Sequence, residues 1–403
     1  MDRLSAVGRH DALILLRSCF GAPKLQHVLR TSPCHGHPAL LEIDNLLRTG
    51  LCGVVNCLLS DTQWIQARLP VRDGGLGVRD VTSLAIPAFL ASAASTRGLQ
   101  DAILSAVSTP PDTFVSEYVA EWTSRFSVAA PVDLIASRQS AWSALYIQAD
   151  KAAVLESATD SYSQARVLAV SAPHSSDWLH ALPIAACGLR LDDEAVRIAV
   201  GLRLGVAICV PHPCPCGVTV DARGAHGLSC KQAAGRSLRH HQLNDLVWRA
   251  FQRAAVPAKK EPSGLLRSDG KRPDGITLLP WSSGRAVAWD VTVADTVAES
   301  YLGRSSSRAG AVAEFAATKK TEKYSGLPPE FQFVPLAFET LGPPNGEAVE
   351  LLNDIGRRTR EITGEIRESQ FLFQRINILL QKFNAVAFHG SFITDERERP
   401  PHL

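Results

Sequence analysis

Cys214, Cys216, His226 and Cys230 fall within one short stretch, "CPCGVTVDARGAHGLSC", and the chain changes character there. Four soft ligands in a C-x-C-x9-H-x3-C arrangement suit one tetrahedral ion, and Zn²⁺ is the metal such a set favours. Binding it would close the segment into a knuckle, with Gly217, Gly224 and Gly227 letting the backbone fold around the ion. The opening pair is C-x-C rather than the commoner C-x2-C, and Cys209 and His212 are rival ligands. A loop with chance cysteines is the plain alternative. A closed four-ligand site is structural and not catalytic. The chain holds 9 cysteines in 403 residues, too few for a disulfide framework. Cys19, Cys34, Cys52, Cys57 and Cys187 are scattered and read as core or incidental thiols.

Ahead of the knuckle, apolar residues recur only at helical spacing. Residues 10–30, 38–60, 83–106 and 113–158 read as helices, and the Gly-rich "LPVRDGGLGVRDV" (69–81) breaks the series. The run "LRLDDEAVRIAVGLRLG" (189–205) contains an Asp-Asp pair, Asp192 and Asp193. It opens a helix, so helix-capping acids are a better reading than metal-binding aspartates between strands. No convincing strand occurs before residue 206.

Beyond the knuckle, "RSLRHHQLNDLVWRAFQRAA" (236–255) is an amphipathic helix, and short strand-like runs follow at 275–279, 286–293 and 331–340. A helix at 310–324 separates the last two. A strand pair, a crossover helix and another strand make a small α/β unit. Residues 346–385 return to helix, and "ERERPPHL" reads as a frayed end.

The run "AVAWDVTV" carries Asp290 inside an otherwise apolar strand. A buried charge is costly unless it is paired or holds a metal. Alternation puts Val287, Trp289, Val291 and Val293 on one face and Ala288, Asp290 and Thr292 on the other. Asp274 begins the preceding strand, so a hairpin brings two carboxylates to neighbouring strands. They repel unless a cation lies between them, and Mg²⁺, held by one or two carboxylates plus water, suits such a pair. On the helix that follows, Lys320 shares a face with Ala313, Ala316, Ala317 and Tyr324, which reads as packed against the sheet. Lys320 is then either snorkelling or catalytic, while Lys319 and Lys323 point elsewhere, towards solvent or phosphate. Turn chemistry at Pro273-Asp274 and a structural arginine partner for Asp290 remain the non-catalytic reading.

The series "RPD" (272–274), "DVT" (290–292) and "KKTEKY" (319–324) resembles the PD-(D/E)-x-K nuclease superfamily. More narrowly, it is similar to the restriction-like endonuclease domain of site-specific non-LTR retrotransposon proteins. In that branch a Cys-Cys-His-Cys knuckle precedes the nuclease, an Arg-His pair (here Arg239 and His240) opens the next helix, and the lysine lies on the helix after the second strand. Thr292 then occupies the usual place of the motif lysine, and Asp290 replaces the commoner glutamate. A second resemblance links "APKLQHVLRTSP" (22–33) and "WIQARLPVRDGGLGVRDV" (64–81) to the thumb region that follows the palm of such reverse transcriptases.

The resemblance implies an α + α/β chain: a helical N-terminal half, a small zinc knuckle, and a nuclease domain with a central mixed sheet flanked by helices. Its boundaries are 1–110 (thumb-like), 111–205 (helical linker), 206–232 (knuckle) and 233–403 (nuclease). It implies Mg²⁺ on Asp274 and Asp290, with the carbonyl of Val291 completing the shell, and Lys320 orienting the attacking water. Arg239, Lys259, Lys260, Lys271, Arg272 and Lys323 would engage phosphate, and Glu261 is a candidate extra acid. Trp281 and Trp289 are either base-stacking residues or core anchors. The partner would be DNA, and element RNA a further one. The palm motif is missing, so the resemblance is to a C-terminal portion that does not polymerise. With no long apolar run, the expectation is an intracellular protein, nuclear if functional, with no membrane partner. Net charge is +2, so a nucleic-acid surface has to be local. The alternatives are a decayed or domesticated fragment that binds nucleic acid without cleaving it, and a structural α/β protein with a zinc staple.

Overall fold

A computed structural model describes residues 4, 6–105, 112–233, 235–265 and 270–393. The C-terminal "ERERPPHL" lies outside them. The chain forms two compact units, Met1–Val71 with Gly75–Ser157, and Arg72–Gly74 with Ala158–Leu403. The division at residue 157 falls within the stretch 111–205 that was read as one linker. Among the described residues no helix is long and apolar enough to cross a membrane.

The first unit is helical: α1 (Arg9–Leu15), α2 (Ala22–Thr31), α3 (Pro38–Val55), α4 (Asp61–Arg68), α5 (Ala85–Leu104), α6 (Thr113–Phe126), α7 (Asp133–Ala136) and α8 (Gln139–Ser157). Local signals explain several boundaries. Ser60 and Gln63 form a capping box that starts α4, and Asp112 caps α6 by accepting from Phe114 N at 3.0 Å. Asn56, in the left-handed conformation, ends α3. One part of the core joins α2, α3 and α5 through Leu29, Leu40, Val81 and Ala88. Another gathers Phe89, Trp122, Trp142 and Tyr146, and its indoles find partners: Trp122 Nε1 donates to Trp142 O and Trp142 Nε1 to Ala136 O.

The second unit begins with α9 (Ser161–Val170) and α10 (Asp193–Leu204). Asp192 is the N-cap of α10, accepting from Ala195 N at 2.7 Å, as the capping interpretation of that Asp-Asp pair expects. A two-stranded ribbon, β1 (His212–Pro213) and β2 (Thr219–Val220), leads to the short α11 (His226–Ser229) and then to α12 (Gly235–Arg253). A four-stranded mixed sheet follows, in the order β3 (Ala258–Lys260), β4 (Gly275–Thr277), β5 (Ala286–Ala294), β6 (Phe331–Glu339). The first three strands are antiparallel neighbours, and β5 and β6 are parallel. The crossover between them carries α13 (Leu302–Ser305) and α14 (Ala311–Lys323), and α15 (Gly346–Thr363) and α16 (Glu368–His389) complete the unit. Strand β3 was missed: "AKK" has almost no strand propensity and reads as a charge patch, yet it pairs with β4 at the sheet edge, where lysines are favoured.

The alternation along β5 decides which helices cover which face. Val287, Trp289 and Val291 join Leu243, Val247 and Phe251 of α12, Leu351 and Leu352 of α15, and Ile376 and Leu380 of α16 in one large core. Trp289 is fully buried and stacks on Phe251 at 4.8 Å, and Trp281 meets the same Phe251 edge-on at 5.3 Å, so both tryptophans anchor the core. The opposite face is narrow, with Ala313 and Ala317 of α14 against Ala337 of β6. Small residues there let α14 approach closely, and Asp290 points to that side.

Candidate metal knuckle and carboxylate site

The β1–β2 ribbon pairs His212 with Val220 and Pro213 with Thr219, which places Cys214 and Cys216 in its turn. The turn is held by Cys214 N donating to Val218 O at 2.9 Å and Gly217 N to Cys214 O at 2.8 Å. His226 opens α11 and Cys230 follows its end. The ligand atoms of Cys214, Cys216, His226 and Cys230 lie within 4.8 Å of one another. Cys214 Sγ and Cys230 Sγ are 3.7 Å apart, and Cys216 Sγ and His226 Nε2 are 3.2 Å apart. These four residues can hold one metal ion. The rivals are engaged elsewhere: Cys209 Sγ lies 3.3 Å from Asp221 O, while His212 stacks on Phe392 and bonds Ser391 Oγ at 3.1 Å. At Gly227, a Cβ would come within 2.8 Å of Ala387 O. Here glycine lets α16 pack directly on the knuckle backbone, a reason different from the loop closure expected of it.

On the sheet, Gly275 pairs with Trp289 and Ile276 with Ala288. One step further along that register, Asp274 stands opposite Asp290. Asp274 Oδ2 accepts from Val291 N at 2.6 Å and lies 2.9 Å from His240 Nε2. Its backbone is fixed as well, since Asp274 O accepts from Glu261 N at 2.9 Å and from Asn244 Nδ2 at 3.2 Å. Asn244 also takes the indole N–H of Trp289 at 2.9 Å, so one buried amide ties strand, helix and core together. At Gly275, any Cβ would collide with the Trp289 ring, so only glycine fits beside Asp274.

Asp290 has a side chain only 4% exposed. Its Oδ1 accepts from Lys320 Nζ, and its Oδ2 accepts from Tyr324 Oη at 2.7 Å. The Tyr324 hydroxyl also lies 2.7 Å from Arg272 O, which ties the end of α14 to the segment before β4. Lys323 Nζ is 3.8 Å from the same Asp290 carboxylate and 2.7 Å from the Tyr324 hydroxyl. That corrects the expectation for Lys323, because the helix phase brings it to the carboxylate together with Lys320. Lys319 does point elsewhere, over the Phe315 ring at 4.3 Å.

His240 has its pKa raised above the ordinary value, first by its hydrogen bond to Asp274 and then by the two carboxylate charges, against desolvation and Lys320. It lines a cleft of about 340 Å³ with Arg236, His241, Thr292 and Lys320. Sequence reasoning named His240 as half of an Arg-His pair and gave it no place in the site; Tyr324 was likewise only a neighbour of the lysines. The signal lay in the spacing along α12, where His240 and Asn244, one turn apart, both face Asp274.

Arg239 requires the opposite correction. It is 2% exposed, donates to Asn384 Oδ1 at 2.8 Å and Leu228 O at 3.4 Å, and burial pulls its pKa down to about 10. Its guanidinium joins α12 to α16 and the knuckle and does not face solvent, so it is not placed to meet phosphate. The other basic candidates lie nearer the surface. Lys259 and Lys271 are exposed, Lys260 bonds Asp245 at 2.9 Å, and Arg272 pairs with Glu261. Glu261 therefore contributes its backbone N–H to Asp274 and its carboxylate to Arg272.

Neither the protein-family models nor the curated proteins contain a match to this chain.

Proposed function

We propose that the second unit is a Mg²⁺-dependent DNA endonuclease of the PD-(D/E)-x-K kind, and that the chain is the C-terminal part of a site-specific non-LTR retrotransposon protein. The observation that carries this reading is the convergence on one carboxylate pair. Asp274 and Asp290 stand opposite each other on a rigid sheet, and a lysine from the crossover helix reaches the second of them. Facing carboxylates attract a divalent cation, which when bound would polarise the phosphate and acidify a water. Asp274 and Asp290 would hold it, beside the Val291 carbonyl. Lys320 supplies a positive charge and N–H donors to orient the attacking water, and Tyr324 keeps Asp290 turned towards it. Lys259, Lys271 and Lys323 offer charge to the DNA backbone, and Lys260 and Arg272 could exchange their carboxylate partners for phosphate. Element RNA is a second candidate partner, and the nucleus is where such an enzyme meets DNA.

For the knuckle, Zn²⁺ is the proposed metal. Bonds of about 2.3 Å to sulfur and about 2.0 Å to nitrogen set tetrahedral S–S and S–N edges of about 3.8 and 3.5 Å. The distances of 3.7 and 3.2 Å between the ligand atoms are close to those edges.

One observation favours a second reading. Lys320, Lys323 and Tyr324 already surround Asp290, as in a structural ion pair, and a fragment that binds nucleic acid without cleaving it would look the same. The test is nicking of supercoiled plasmid with Mg²⁺ by wild type, Asp290→Asn and Lys320→Ala, each shown to fold by circular dichroism. Nicking by wild type alone supports the enzyme. Salt-sensitive DNA binding by an inert wild type would leave the binding fragment in its place.

A further inference from the structure

The first unit contains a cavity of about 520 Å³ that the nuclease reading does not use. Arg17 and Arg79 line it, with Gln26, Gln139, Ser140 and Ser143 as neutral polar neighbours, and no carboxylate is among the lining residues. Arg17 lies on Leu16–Phe20, the one π-helical turn among the described residues. Such turns are uncommon and often sit at functional sites. The Nη1 atom of Arg17 is buried and makes no hydrogen bond, and burial lowers the pKa of this guanidinium. A buried guanidinium nitrogen without an acceptor is costly, so the site is built for an acceptor that binds from outside.

The surrounding charges do not remove that demand. Asp150, whose field reaches Arg79, is held by both Nε and Nη2 of Arg68 at 2.9 and 2.5 Å, and Asp80 also pairs with Arg68 at 3.3 Å. Two helices begin at the cavity wall, α2 at Ala22 and α8 at Gln139, and helix starts favour negative charge. Gln26 donates to Gln139 Oε1 at 2.9 Å, which fixes the two amides across the cavity. Ala22, Pro23 and Leu84 supply an apolar wall, so the space suits a body larger than a bare anion.

We propose that this cavity binds the phosphate group of a nucleotide, with Arg17 and Arg79 taking the phosphate oxygens and the apolar wall taking the nucleoside. The nucleotide is either free or one unit of a strand; the chemistry recognised is shared. Arg17 is the anchor, because its buried nitrogen gains a charged acceptor that the protein does not provide.

The experiment is calorimetric titration of the full chain with AMP and, separately, with pentathymidylate, in EDTA so that the carboxylate site holds no divalent ion. Variants are Arg17→Met, Arg79→Met, and Arg97→Met as an exposed-charge control on α5. Loss of a charge-assisted bond should weaken binding by about tenfold or more in the first two variants and leave Arg97→Met like wild type. Measurable AMP binding with this pattern identifies a free nucleotide; the pattern with pentathymidylate alone identifies a strand. Absence of binding to either ligand, or equal affinity in all three variants, overturns the proposal. If Arg17→Met does not fold, Arg79→Met against the control decides the matter in the same way.

Discussion

Replacing Lys320 by methionine removes the ammonium from Asp290 while keeping most of the apolar stem that lies along α14. Breaking a buried ion pair costs about 3–5 kcal/mol when the remaining charge has no other partner. Here the lysine is 25% exposed, and Asp290 keeps the Tyr324 hydroxyl at 2.7 Å and Lys323 at 3.8 Å. The cost should therefore fall to about 1–3 kcal/mol. For a unit of this size that corresponds to a fall in Tm of roughly 3–10 °C, read from thermal melts of the second unit by circular dichroism. The double variant Asp290→Asn/Lys320→Met should recover at least half of the loss, since the uncompensated charge is then gone. Millimolar Mg²⁺ should raise the Tm of Lys320→Met more than that of wild type, because the ion no longer competes with an ammonium for Asp290. A Lys320→Met protein as stable as wild type and indifferent to Mg²⁺ would refute the view that Asp290 needs a cation.

Three further outcomes follow from the same geometry. Cys230→Ser should lower the bound zinc from about one equivalent per chain to near zero, measured by chelator titration with a colorimetric indicator, and should destabilise the α16–knuckle contact. Gly275→Ala places a methyl group in the Trp289 ring, so it should cost about 1–3 kcal/mol in denaturant unfolding and displace Asp274. The His240 imidazole, followed by NMR without metal, should titrate above its ordinary 6.5, and Asp274→Asn should bring it back down. The sign is that of a raised pKa: the His240–Asp274 pair stabilises the fold fully below the ordinary value, and its contribution is lost as pH rises through the raised folded value. A stability that instead rose across that range would contradict the pairing.

The helical first half, the strand alternation on β5 and the spacing of the cysteine cluster were all legible in the sequence, because each depends on neighbours a few residues away. Periodicity assigns a face, a cap assigns a boundary, and short ligand spacing assigns a loop. The opposition of Asp274 and Asp290 was nearly legible too, since a hairpin register follows from one paired residue. What the sequence by itself could not decide was which charges meet across elements. Lys323 was assigned to solvent because it lies off the packed stripe of α14, yet a long flexible side chain reaches beyond the stripe its Cα defines. Arg239 read as a surface cation because arginine usually is one; only the packing of α16 against α12, supplying Asn384, made a buried position tolerable. Likewise, β3 exists because β4 offers it an open edge, whatever its own propensity. Local chemistry determined the elements. Their tertiary arrangement determined which of the many charged side chains share a dry site, because desolvation and pairing exist only once distant segments are brought together.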